Sequence, residues 1–171
     1  MNRRQFLITT AGIAVAASAG LELGSRGFTA NWDSLIEQLQ SLQQKELSSS
    51  GNWTPSQIFQ HLAQSVRGSF MGYPEHKAGW FTHSVGPVAL KAFKTAGAMH
   101  HPLDEEIPGM PQLDVTIPTQ QALQSLLQAL EQFTQSTTLT PHFAYGVLSH
   151  QDYQAAHVLH IRQHLQQIHS A

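Results

Sequence analysis

Apolar residues return at three- and four-residue steps in four separate stretches of this chain, a rhythm that commits it to packed helices rather than sheets. Trp32, Leu35, Ile36, Leu39 and Leu42 make the first stripe, which ends at Ser48-Ser49-Ser50-Gly51-Asn52. Thr54, Pro55 and Gln57 form a capping box at the head of a second helix. Its stripe takes Ile58, Phe59, Leu62, Val66 and Phe70 before Gly72-Tyr73-Pro74 stops it. Ala122, Leu123, Leu126, Leu127, Leu130 and Phe133 place a third helix over 119–134, with glutamines on its far side. Ser149 caps a fourth, whose apolar residues are Tyr153, Val158, Ile161, Leu165 and Ile168. Four such helices predict an all-α four-helix bundle with no repeats and no β-rich stretch.

From Glu75 to Pro118 the rhythm fades. Residues 77–97 read as helical pieces interrupted by Gly86-Pro87, and 100–118 carry four prolines with little periodicity. This is a long, irregular, partly helical crossover between the second and third helices. A connection of that length in a compact domain is usually functional or mobile, so it could cover a site.

The start of the chain has another purpose. Arg3-Arg4-Gln5-Phe6-Leu7 precedes a short apolar run, Ile8 to Ala19, closed by the small residues Ala17-Ser18-Ala19. The arrangement resembles a twin-arginine (Tat) signal, matched at Arg3, Arg4, Phe6 and Leu7. That resemblance implies recognition by the twin-arginine export machinery and delivery of a folded domain to the periplasm or beyond. We expect residues 1–19 as signal peptide, 20–30 as a glycine-containing tether and 31–171 as one domain. No second apolar run of membrane-spanning length follows, so no membrane is expected for the mature protein.

Composition narrows the chemistry. The chain has no cysteine, which excludes disulfides, thiolate ligands and a cysteine nucleophile. A formal net charge of −2 with 12% charged residues offers no basic surface for nucleic acid. Phosphate loops, dinucleotide fingerprints and nucleophile elbows are missing as well. Histidine is the outlier at eleven residues. His160 and His164 stand one turn apart on the fourth helix, beside Ile161, Leu165 and Ile168, where two imidazoles can chelate one ion. His61 borders the apolar face of the second helix and is the candidate third ligand. Three protein ligands leave a coordination position open, the pattern of catalytic rather than structural zinc sites.

His157 lies near the same face and is an alternative partner for His160 or His164. Gln167 projects close by as a hydrogen-bonding neighbour of a ligand. Ser65, one turn beyond His61, faces either the pocket or a packing helix. His83, His100 and His101 fall in the crossover and are expected in solvent. His142, His150 and His169 lie near helix ends, where they can bond terminal carbonyls or water. Asp104, Glu105, Glu106 and Asp114 reach the site only if the crossover folds over it; a solvated acidic loop is the expectation.

The segments Trp53-Thr54-Pro55-Ser56-Gln57-Ile58-Phe59-Gln60-His61-Leu62-Ala63-Gln64-Ser65, Ile107-Pro108-Gly109-Met110-Pro111, Gly146-Val147-Leu148-Ser149 and His160-Ile161-Arg162-Gln163-His164-Leu165-Gln166-Gln167 resemble the DinB-like bundles. Within them, the chain is most similar to the domain-of-unknown-function family numbered 1569. The resemblance implies a metal centre at His61, His160 and His164, with Gln167 as the trailing glutamine. It departs from the pattern at Gln163, where many relatives carry another histidine. Members of the wider superfamily include metal-dependent thiol transferases and isomerases. The expected cofactor is therefore one divalent ion, zinc by default, with nickel, copper or iron also suited to imidazole.

If the protein is an enzyme, a metal-dependent transferase or hydrolase of a small molecule is the expectation. A non-catalytic metal or small-ligand binder and a metal-free structural bundle are the alternatives. An apolar interface on any helix would allow a dimer, and no symmetry cue selects one.

Overall fold

The computed structural model describes residues 31–170, and this part of the chain is mostly helical. The expected leader and tether lie outside the described residues. The elements are α1 (Trp32–Gln40), β1 (Leu47–Ser49), α2 (Pro55–Met71), a π-helical turn (Phe81–Val85), α3 (Gly86–Ala96), α4 (Thr119–Gln135), α5 (His150–Leu165) and β2 (Ile168–Ser170).

Local chemistry accounts for the helix starts. Asn31 accepts the Ser34 N–H at the head of α1. At α2 the Thr54 side chain accepts the Gln57 N–H while the Gln57 side chain accepts the Thr54 N–H, the reciprocal pair expected from the sequence. Ser149 accepts the Asp152 N–H at α5.

Inside, Leu35, Leu39, Ile58, Phe59, Leu62, Leu123, Leu126, Leu130, Phe133, Tyr153, Val158 and Ile161 form one buried core. Helix α2 packs chiefly on α4. Helix α5 departs from the expected amphipathic stripe. Its buried residues run from Tyr153 through Ala155, Ala156, His157, Val158, Leu159, Ile161, Gln163 and His164, so most of its circumference is covered. Among the described residues no helix is long and apolar enough to cross a membrane.

Two expectations need correction at the ends of the chain. Helix α1 stops at Gln40, and Leu42 reaches the core from the following turn, where Gln44 takes a positive φ of 62°. Ile168 is not on the last helix: it opens β2, which pairs antiparallel with β1 in the register Leu47↔Ser170, Ser48↔His169, Ser49↔Ile168. The pairing continues as Ser50 N–H donates to the Gln167 carbonyl at 3.0 Å. Serines and β-branched residues gave no strand rhythm because each strand is only three residues long.

The crossover is more ordered than its sequence suggests. Gly86-Pro87 does not interrupt a helix. The π-helical turn runs directly into α3, with Gly86 and Pro87 in its first turn, where the missing proline N–H costs nothing. Gly86 is required by contact: a Cβ built there would lie 2.0 Å from the Ala144 carbonyl oxygen, a backbone atom. Gly86→Ala should therefore destabilise the protein by about 1–3 kcal/mol, read as a shift in the urea midpoint. An unchanged midpoint would show that the 142–146 loop moves aside freely.

Beyond α3, one polar face of α2 holds the irregular segment 111–117. Ser56 Oγ donates to the Ile117 carbonyl (2.7 Å), Gln60 Nε2 to the Asp114 carbonyl (2.8 Å) and Gln64 Nε2 to the Pro111 carbonyl (2.8 Å). Asp114 N–H returns a bond to Gln60 Oε1. Residues 56, 60 and 64 recur every four positions, so one helix face satisfies backbone that has no ladder of its own.

Candidate metal centre

His61 comes from the middle of α2, and His160 and His164 from successive turns of α5. Packing of the two helices brings the three rings together, with centroids 5.1 Å (His61 to His160), 4.9 Å (His61 to His164) and 4.9 Å (His160 to His164) apart. One nitrogen from each lies within 4.8 Å of the others. The closest approach is His61 Nε2 to His160 Nε2, 3.2 Å. Two nitrogens bound to one zinc at about 2.0–2.1 Å in tetrahedral geometry stand roughly 3.3 Å apart, so that pair already has ligand spacing. The third nitrogen is looser.

The surroundings hold the rings in place. Ser65, one turn past His61, puts its hydroxyl 3.2 Å from His160 Nδ1, and a hydroxyl can serve either tautomer. This leaves His160 Nε2 facing His61. Trp53 stacks on His164 with centroids 6.2 Å apart and planes 5° apart, and tilts over His61 at 5.0 Å.

The nitrogen accounting is unusual. His61 Nδ1 and both nitrogens of His164 are buried without a hydrogen-bond partner, and His164 is 0% exposed. Each unpaired buried polar group costs about 1–3 kcal/mol. Burial, reinforced by neighbouring His101, lowers the His61 pKa to about 3. Burial, then His61 and His101, lowers that of His164 to about 2. His160 is held well below the ordinary value by burial and by His61 and His164. All three rings are therefore neutral at neutral pH, the form that binds a metal. Unpaired imidazole nitrogens converging in their ligand state fit a divalent cation.

The cluster opens onto a cavity of about 300 Å³. His61, His160 and His101 line it, Phe81, Phe93, Met99 and Ile107 are among its apolar walls, and Lys77, Glu105 and Glu106 also border it.

The profile of a family described as "Protein of unknown function (DUF1569)" matches residues 25–171. This chain belongs to the DUF1569 family. No curated protein and no solved structure matches it.

Several residues of this DUF1569 protein stand elsewhere than expected. His157 is buried and borders the same cavity, but it stacks on Tyr153 (5.4 Å), lies edge-on to Phe133 (5.0 Å) and is not one of the three converging histidines. At about 100° per residue His157 sits roughly 60° to one side of His160 and His164 roughly 40° to the other, so about 100° of helix separates His157 from His164. Gln167 follows the end of α5, and its amide packs where a Cβ on Gly51 would sit. Its Oε1 is buried without a partner, so it forms no hydrogen bond to a ligand histidine.

His101, expected in solvent, is half-buried against the cluster, with its ring 4.8 Å from His160 and 5.3 Å from His164. Gln163 explains part of this, since its Nε2 donates to the His101 carbonyl at 2.9 Å. His142 is also buried rather than at a solvated helix end: its Nδ1 accepts the N–H groups of Ala144 and Tyr145. His83 and His100 are exposed, as expected, and His150 lies 3.4 Å from the Phe133 carbonyl at the end of α4. Glu105 and Glu106 do reach the cavity, because the crossover folds over it, whereas Asp114 stays exposed and bonds Thr116.

Proposed function

We propose that this DUF1569 protein is an exported, DinB-like four-helix-bundle metalloprotein in which His61, His160 and His164 hold one divalent ion, zinc by default. The observation that carries the reading is His164, a fully buried imidazole whose two nitrogens have no partner and whose ring faces His61 and His160. A bound cation would give one of those nitrogens its partner and would use the ring in its neutral form.

A zinc held by His61, His160 and His164 would supply Lewis acidity beside the cavity. The protein's own residues do the rest. Ser65 fixes the His160 ring, Trp53 covers His164, and the apolar walls shield a small molecule from water. Transfer or hydrolysis of such a molecule is the leading activity. Export through the twin-arginine route is supported by Arg3-Arg4-Gln5-Phe6-Leu7 and by the family match, which begins at residue 25, past the expected leader. A periplasmic location follows from that reading.

A second reading, a non-catalytic metal or small-ligand binder, is favoured by the composition of the ligating group, which contains histidines and no carboxylate. The first experiment addresses both. Metal analysis of protein purified without a histidine tag should find about one divalent ion per wild-type chain and close to none in a His160→Ala, His164→Ala double variant. Near-zero metal in both would sink the two readings together and leave a metal-free structural bundle.

A further inference from the structure

The crossover brings a fourth imidazole to the centre. His101 Nδ1 lies 2.5 Å from the Pro102 carbonyl oxygen, a distance at which the nitrogen must carry the proton and donate it. The proton is therefore on Nδ1, and Nε2 presents a bare lone pair. That Nε2 is buried and has no hydrogen-bond partner. Its ring lies as close to His160 (4.8 Å) as the three core rings lie to one another.

An imidazole whose first nitrogen donates to a backbone carbonyl while its second is buried, unpartnered, on a ring packed against a histidine cluster has the outer bonding of a metal ligand. A second tether acts from behind, where Gln163 on α5 donates to the His101 carbonyl. The segment is thus anchored one turn from His160 and next to His164.

We propose that His101 is a fourth, displaceable ligand of the same ion, supplied by the crossover. The inference rests on the three-histidine reading. His101 is not among the residues whose ligand atoms all lie within 4.8 Å, so binding draws the 99–102 segment inward. Four protein ligands close a zinc site, whereas three leave it open. The position used by substrate or by a small anion then exists only when His101 has left it, and the ion is guarded by the same segment that borders the cavity.

The test uses the full mature chain loaded with zinc or cobalt. X-ray absorption of the zinc form counts imidazoles from their outer-shell scattering: about four are expected in wild type and about three in His101→Ala. Azide titrated into the cobalt form, followed through its visible bands, should bind at least roughly tenfold more tightly to His101→Ala, and zinc affinity should drop by a similar factor. His101→Gln, which keeps a polar side chain, should behave as His101→Ala does.

Three imidazoles in the wild type together with equal azide affinity in all three proteins would overturn the proposal while leaving the three-histidine centre standing. Wild-type protein that takes up no zinc at all would overturn the underlying reading as well, so the two failures are distinguishable.

Discussion

With no metal bound, the protein should unfold on mild acidification, with a midpoint at about pH 5. Burial lowers the pKa of His61 and His157 from the ordinary 6.5 to about 3. It holds His142 and His160 well below that value and takes His164 to about 2. In the unfolded chain these rings take up protons as the pH falls through 6.5, whereas in the folded protein burial keeps them neutral well below it. The unfolded state therefore binds more protons throughout that window. Stability is complete above pH 7 and falls as the pH drops below 6.5, by about 1 kcal/mol per pH unit for each such histidine.

Several histidines acting together would exhaust a typical 5–15 kcal/mol within about two units. Urea titrations from pH 8 to 5, followed by circular dichroism, give the slope, which should correspond to uptake of about three protons or more near pH 5. His157→Leu, which leaves His61, His160 and His164 in place, should lower that uptake by about one proton. A flat profile between pH 7 and 5 would contradict the burial of these rings as neutral groups.

The second large effect lies in the core. Phe133 is 0% exposed and packs against aromatic rings from two other helices. Trp32 of α1 lies 5.4 Å away, and His150, Tyr153 and His157 of α5 lie at 4.5, 6.3 and 5.0 Å. Such a ring cannot be removed without leaving a void, because its neighbours belong to separately anchored helices. Phe133→Ala is expected to cost about 3–5 kcal/mol, measured at pH 8, where the histidines contribute no slope. The void also admits water beside His157. The two predictions are therefore coupled, and the variant should show a weaker dependence of stability on pH at that site. A cost below about 1 kcal/mol would mean that α1 and α5 close over the gap.

The sequence made the helices legible wherever a rule acts within one turn. Thr54-Pro55-x-Gln57 marks a helix start because its bonds are made inside a single turn, and the stripes on α2 and α4 show because burial follows the helical period. Spacing brought His61, His160 and His164 forward, since two sit one turn apart and the third borders an inward face, but it left His157 as an alternative, and the family resemblance singled out the three. Residues whose role comes from the crossover were hidden. His101 reaches the cluster through a carbonyl held by Gln163, sixty-two residues away in sequence, and no periodicity reports such a contact.

Trp53 could have been found, because the residue just before an N-cap commonly folds back onto the helix it precedes. The β1–β2 pairing could not, since each strand has three residues and the partners are separated by most of the chain. Helix α5 misled for a different reason: its polar residues, His157, Gln163 and His164, are buried beside its apolar ones, so polarity no longer marks the outer side.

His61 and His160 are ninety-nine residues apart, and the second of them belongs to the last helix. A nascent chain on the ribosome therefore holds only one of the three converging imidazoles until α5 has emerged. On the three-histidine reading, ion capture would follow translation, and the compartment in which the finished domain first meets free zinc, nickel or iron would decide which of them it carries.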